Sequence, residues 1–382
     1  VDTLTHGFAG ALLARALPGT GDEARDRAFA GREAWLGFCA AMFPDADALV
    51  SPFSPEFYIT QHRGLTHSFV LLPVWAAFLA LVASLRPPAA AGQPGSAERR
   101  VFGARLLAVS GLAVLSHVLM DWITSWGTMF FSPLGWSRFA LDWVFILDAF
   151  LTGLLLLGLV GVALVSRRTG LARSRIAARA GLAAATAYVL FCGVRHAEAA
   201  RLVARLAPAA ASRAAIPQPG SPDRWLLLSD DGRNVSASFV DLGKRGREGA
   251  RAAGAEELAR TGYAGGLKTI VESLGGVYRS RDDLLTRVIP RANGPFAART
   301  LEKSVAGVFG RFARFPAARE EAEADGSVRV VLRDVRFGYL SPGVDPFTYV
   351  VRYDASGRLL AAGFPSGRWM RSEAASGVGA AR

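Results

Sequence analysis

The sequence predicts an α-helical integral membrane domain of about six helices, followed by a soluble α+β domain. Three observations carry that reading. The 382-residue chain is 51% hydrophobic with a mean hydropathy of +0.26, too apolar for an ordinary soluble enzyme. Residues 68–85, 106–123, 143–166 and 176–194 form apolar stretches that approach or exceed the length of about 20 residues a helix needs to cross a bilayer. After His196 the long apolar stretches give way to short alternating runs.

Two shorter apolar stretches, 4–17 and 34–50, come first, so crossings are expected at 3–17, 34–48, 66–86, 104–123, 143–166 and 177–195. The start of the chain has no basic n-region and no small-residue cleavage site, and the first helix is read as part of the mature fold. Connections 18–33, 87–103 and 167–176 are rich in arginine, whereas 49–65 and 124–142 hold only Arg63 and Arg138. The net charge of +12 therefore reads as membrane topology with some contact to anionic lipid, and no nucleic-acid partner is expected. Positive-inside bias assigns the arginine-rich set to the cytoplasm of a bacterial-type inner (plasma) membrane. Crossing parity then puts the other set on the extracytoplasmic face, together with the start of the first helix.

The first two helices, about 15 residues each, are short for a crossing, which fits a pocket sunk into the outer leaflet. Cys39 and Cys192, the only cysteines, lie in or beside apolar helices and read as small buried hydrophobes. Residues 1–196 are thus expected to form a transmembrane metal-site domain and 197–222 a helix and linker ending in Ile216-Pro217-Gln218-Pro219-Gly220-Ser221-Pro222. Residues 223–382 then form the soluble α+β domain. Within it 224–229, 235–241, 328–337 and 347–353 read as strands, and 248–263 and 297–312 as helices. Parity sets this domain on the face of the site, as a lid, a substrate-positioning element or a partner-binding module.

Four of the five histidines, His6, His62, His67 and His117, fall at the ends of apolar segments on one side of the predicted bilayer, with carboxylates close by. Imidazoles and carboxylates gathered in this way point to a polynuclear metal site. His117 and Asp121, four apart near a helix end, share a helix face. His62 and His67 are five apart and can cooperate only if Gly64 breaks the helix between them. Arg63 reads either as a group for an anionic substrate oxygen or as an interfacial anchor.

Asp45 and Asp47, after Pro44, lie where the second helix ends, as ligands or as ordinary loop residues. Asp142 and Asp148 open the fifth helix, Asp142 as a favourable N-terminal acid and Asp148 as a hydrogen-bond partner behind an imidazole. Thr124, Ser125 and Gly127 offer hydroxyls and close backbone approach in a turn, and His196 reads as interfacial. Leu4-Thr5-His6-Gly7-Phe8 and Leu65-Thr66-His67-Ser68-Phe69 form a weak repeat. Thr5 and Thr66 are expected to cap two parallel helices, with His6 and His67 at equivalent points.

The strings Asp2-Thr3-Leu4-Thr5-His6-Gly7, Pro44-Asp45-Ala46-Asp47, His62-Arg63-Gly64-Leu65-Thr66-His67-Ser68 and His117-x-x-x-Asp121-x-x-Thr124-Ser125-x-Gly127-Thr128 resemble the YdjM-type family of inner-membrane, metal-dependent hydrolases. The resemblance covers roughly residues 1–165, and Leu141-Asp142-Trp143 and Asp148 are similar to the family's pattern, with Ala149 where a proline is often expected. It implies a phospholipase-like activity and a metal site drawn from His6, Asp45, His62, His67, His117 and Asp121. Divalent ions held by such ligands would acidify a bound water and neutralise an ester or phosphodiester oxygen, with Asp47 or Asp121 left to orient the water. Zinc suits the imidazole-rich set, with manganese or iron as alternatives. The expected substrate is a membrane lipid or lipid-linked ester. The competing expectation is a non-catalytic membrane protein, either a metal-ion carrier or a scaffold whose C-terminal domain binds a partner.

Overall fold

Asp2 starts the first helix by accepting from the Thr5 amide, and α1 (Thr3–Ala16) follows. Asp22 caps α2 (Glu23–Met42) in the same way through the amides of Ala24 and Arg25, with Glu23 and Asp26 in the first turn, where the helix dipole favours acids. The two helices cross backbone to backbone. A Cβ on Gly10 would stand 2.1 Å from the Gly37 carbonyl oxygen, and one on Gly37 would stand 2.3 Å from that of Gly10. Only glycine at both positions permits this approach.

The computed structural model describes residues 1–51, 53–85, 96–245, 277–305, 307, 309–337, 347–364 and 371–372. The helix Glu23–Met42 tightens into a 3-10 turn, Phe43–Val50, which holds Asp45 and Asp47. Then come α3 (Pro55–Gln61), a three-residue 3-10 turn at Leu65–His67, α4 (Leu72–Ser84) and α5 (Ser96–Trp122). An irregular segment leads to α6 (Ala149–Thr169), which is capped by Asp148 and followed by α7 (Leu171–Leu206). Leu12, Val144, Leu151, Leu155, Val162, Ala178 and Ala185 form the largest apolar cluster of this helical region.

Several expectations change here. Among the described residues three helices are long and apolar enough to cross a membrane: Arg100–Trp122, Ala149–Thr169 and Leu171–Leu206. A fourth counts only if Glu56–His67 and Leu72–Ser84 make one broken span, fewer than the six crossings from which the parity was derived. The stretch 18–33, expected as a connection, is largely helix because Asp22 and two further acids stabilise its start. The expected helix at 66–86 is broken, since Arg63 takes φ 62° and residues 68–71 lie outside any helix. The helix expected from 143 begins at 149, after Asp142 at φ 57°.

The chain divides into two units, Val1–Leu49 with Gln61–His196, and Val50–Thr60 with Ala197–Arg382. The second contains an antiparallel sheet in the order β1 (Ser212–Pro217), β2 (Arg224–Asp230), β3 (Asn234–Asp241) and β4 (Thr286–Pro290). Residues 216–222, read as linker from their prolines, supply the end of β1 and the turn into β2. Alternation along β2 buries both faces: Trp225 and Leu227 pack with Leu202 and Val203 of α7, and Leu226 and Leu228 with Phe315 and Val335.

After α8 (Pro295–Val305), a second antiparallel sheet runs β5 (Pro316–Ala322), β6 (Val328–Asp334), β7 (Tyr349–Tyr353), β8 (Leu359–Gly363) and β9 (Arg371–Ser372). Ala297 and Leu301 of α8 pack against its Ala318, Val330, Leu332 and Val351. The α+β character expected after the helices is present. The helix expected at 248–263 lies outside the described residues.

Candidate metal centre

Three chain segments bring four side chains to one point: Asp45 from the 3-10 turn after α2, His67 from the 3-10 turn before α4, and His117 and Asp121 from the last turns of α5. One ligand atom of each lies within 4.8 Å of those of the other three. His67, His117 and Asp121 have no exposed surface, and the Asp45 side chain keeps 13%.

The local sequence dictates this meeting. Spacing of four on α5 stacks His117 over Asp121. Arg63, in a left-handed conformation, turns the chain so that His62 and His67 no longer follow a helical arc. Gly64 completes the turn, because a Cβ there would stand 2.6 Å from the Gln61 carbonyl oxygen. The break expected at Gly64 therefore exists, but the unusual backbone angle belongs to Arg63.

The hydrogen bonds orient the imidazoles. His117 Nδ1 lies 2.6 Å from the Ala41 carbonyl oxygen, which can only accept, so Nδ1 carries a proton and Nε2 is the atom turned toward the group. Thr66 Oγ1 donates to Asp47 Oδ2 at 3.1 Å and so is free to accept from His67 Nδ1 at 2.9 Å. The Nε2 atoms of both rings point into the group, 3.0 Å apart.

The spacing fits a single ion. Asp121 Oδ2 is 3.1 Å from His67 Nε2 and 3.4 Å from His117 Nε2, and Asp45 Oδ1 is 3.7 Å and 3.5 Å from the same two nitrogens. Four ligands at zinc-like bond lengths around a tetrahedral ion are separated by about 3.3 Å, so these distances are those of a ligand cage. Asp121 Oδ2 is buried and receives no well-aligned hydrogen bond among the described residues. Two imidazole nitrogens and two carboxylates gathered this closely could hold a metal ion.

The remaining predicted residues surround this group. Arg63 is 1% exposed, with Nε 2.9 Å from Asp121 Oδ2 and a terminal nitrogen donating to the Asp121 carbonyl and to Thr124. It braces Asp121 from inside and is not an interfacial anchor. His6 stacks on His117 with ring centroids 3.7 Å apart and places Nε2 3.2 Å from Asp121 Oδ1, adjacent to the four but outside their set. The Val1 nitrogen lies 2.7 Å from the same Oδ1.

His62 Nδ1 pairs with Asp47 Oδ1 at 2.7 Å, and these two residues also stand outside the four. Burial alone would raise the Asp47 carboxyl, but the hydrogen bond and charge of His62, with His67 and the Arg63 amide, hold it below its ordinary value. Asp45 is likewise held low against its burial, by its contacts with His117 and His67.

Other expectations are corrected. Thr5 and Thr66 cap no helix: Asp2 caps α1, and Thr66 lies inside a 3-10 turn, so the two short repeats are not equivalent points on parallel helices. Asp148 reaches no imidazole. It caps α6 through the Leu151 amide and accepts from the Tyr188 hydroxyl at 2.8 Å. Sequence reasoning passed over Thr3, whose hydroxyl donates to Asp45 Oδ2 at 2.6 Å, and the hydroxyl of Thr66 as the link between Asp47 and His67. Both threonines lie beside named histidines or acids, and that proximity was the available signal.

Buried imidazoles and acids gathered at the end of one span-length helix, beside two further candidate spans, define a membrane protein with a centre able to hold a metal ion. The model of the YdjM inner membrane protein family matches residues 1–199, just over half of the chain, and the chain belongs to that family. No curated protein and no solved structure matches it.

Proposed function

We propose that this protein is a membrane-bound, metal-dependent hydrolase that cleaves an ester or phosphodiester of a lipid or lipid-linked substrate. The observation that carries the reading is the four-residue group at Asp45, His67, His117 and Asp121, with Nδ1 of both imidazoles hydrogen-bonded outside it and Nε2 of both facing into it. Zinc suits two imidazoles and two carboxylates at this spacing, and manganese or iron would accept the same donors. A divalent ion held there would supply Lewis acidity and lower the pKa of a water molecule towards neutrality.

The protein's own groups divide the remaining tasks. Arg63 balances the buried charge of Asp121 and fixes its carboxylate. Asp47 orients His62 directly and His67 through Thr66. Asp45 is the only one of the four with exposed surface, so substrate and water approach from its side. His62, held by Asp47 next to His67, is placed to hold or pass a proton at that opening.

The orientation has support that does not depend on counting crossings. Arg15, Arg105 and Arg175 line a pocket where the C-terminal end of α1 meets the early parts of α2, α5 and α7, whereas the cage lies at the opposite ends of α2 and α5, beside the start of α1. Positive-inside bias then puts the arginines towards the cytoplasm and the cage in the extracytoplasmic leaflet.

The test uses full-length protein in lipid nanodiscs. It should contain about one divalent ion per chain and release headgroup or acyl product from phospholipid. Activity should disappear on chelation and return with Zn2+ or Mn2+. Stoichiometric metal with no turnover across a broad panel of lipids and lipid-linked esters would overturn the hydrolase reading.

A further inference from the structure

The segment between α5 and α6 exposes six large apolar side chains: Phe131, Leu134, Trp136, Phe139, Ile146 and Leu147. A water-facing loop normally carries charge. Here the only charged residues between Trp122 and Asp148 are Arg138, which donates to the His62 and Gly127 carbonyls, and Asp142, which is buried. Trp122, Trp126, Trp136 and Trp143 are four of the chain's 8 tryptophans, and they fall within this short stretch.

The loop's backbone is firmly held. Thr128 and Phe139 exchange amide-to-carbonyl bonds of 2.9 and 3.0 Å, and the Met129 amide donates to the Arg63 carbonyl at 2.8 Å. The Ser68 hydroxyl donates to the Phe130 and Ser132 carbonyls. The exposed side chains are therefore displayed from a fixed frame tied to His62 and Arg63.

What covers them follows from position. The loop joins the end of one span-length helix, Arg100–Trp122, to the start of the next, Ala149–Thr169, so it lies at the level where the bilayer ends. Tryptophan enrichment, apolar side chains and missing charge at that level are the features of the membrane interface. We propose that the 128–147 loop is bedded in the boundary between headgroups and acyl chains, with lipids of that leaflet covering Phe131, Leu134 and Trp136. Because its frame is bonded to His62 and Arg63, it fixes the depth at which the candidate metal centre opens and makes the leaflet itself the source of whatever reaches it. This inference rests on the membrane spans and needs no catalytic activity.

The test labels Leu134→Cys, in full-length protein carrying Cys39→Ser, with an environment-sensitive fluorophore. Leu134 is 81% exposed, so its replacement leaves the packing intact, and Cys192 is buried away from the reagent. Arg233→Cys, in the β2–β3 turn, serves as the water-facing control. In phosphatidylcholine and phosphatidylglycerol vesicles, position 134 should emit at shorter wavelength and be quenched by lipid carrying a nitroxide just below the headgroup. Aqueous iodide should quench it several-fold less than position 233. Iodide quenching equal to the control would overturn the proposal, and so would protection from both quenchers, which would put protein there instead of lipid. Neither readout changes if the protein lacks metal or turnover.

Discussion

The helical unit buries polar clusters at both ends of the same helices, and they are built on opposite principles. At the arginine end Glu33 takes two hydrogen bonds from Arg105, at 2.5 and 2.8 Å, and Asp26 takes one from Arg175 at 2.5 Å, with Thr20 satisfying its other oxygen. Each buried acid meets a guanidinium of matching geometry. At the histidine end, twelve residues further along α5 and so about 18 Å away, imidazole nitrogens and carboxylates face one another. The arginine end pairs its acids with guanidinium groups, whereas the histidine end gathers four potential metal ligands within 4.8 Å of one another. Buried polarity by itself does not mark a site; metal-ligating atoms converging on one point do.

The largest expected effect separates the two ends directly. His117→Ala removes a donor whose neighbours stay in place, so metal affinity should fall by more than about 100-fold, beyond what the loss of an outer-shell partner alone produces. Elemental analysis of the purified variant beside wild type reads this as near-complete loss of bound ion. Full retention of metal would mean that the two ends do not differ in the way proposed.

Next in size is a change at the arginine end. Arg105→Ala leaves Glu33, only 4% exposed, without its partner, which should destabilise the fold by about 3–5 kcal/mol while leaving the metal content unchanged. Thermal unfolding in detergent, with metal analysis on the same sample, checks both halves. A variant of normal stability that had lost its metal would reverse the roles assigned to the two ends.

The two ends were also unequally legible in the sequence. His117 and Asp121 could be read from helical spacing, because α5 continues unbroken through both. The Asp45-to-His67 half depends on tight turns, at Phe43–Val50 and Leu65–His67, whose geometry comes from tertiary contacts such as the Met129 amide on the Arg63 carbonyl. Hydropathy found the apolar segments but read more crossings than the three or four candidate spans among the described residues. The helix Thr3–Ala16 is short, and Glu23–Met42 carries charge through its first half, yet both pack at the Gly10–Gly37 contact, which no hydropathy window registers. Arg63 was misplaced for a related reason: a charged residue in a short loop looks exposed until the loop is seen folded against Asp121. Strands β2, β3, β6 and β7 were visible from their alternation, whereas β4, β5, β8 and β9 were not read and β1 was hidden by the prolines at its end.

The smallest expected effect tests whether the histidine end is prepared for a cation or merely crowded with ligand types. If Thr66 holds the proton of His67 on Nδ1, then Thr66→Val, which keeps the side chain's shape and removes its hydroxyl, leaves Nδ1–H without its acceptor and Asp47 Oδ2 without one donor. The four ligands all remain. Metal affinity should nevertheless fall by about 10- to 100-fold, the usual consequence of losing an outer-shell partner, and Thr66→Ser should restore most of it because the hydroxyl returns. Competition against a chelator of known affinity measures all three proteins on one scale. Equal affinities for wild type and Thr66→Val would show that His67 needs no help in choosing its tautomer, and the contrast between the two ends would then rest on the four ligands alone.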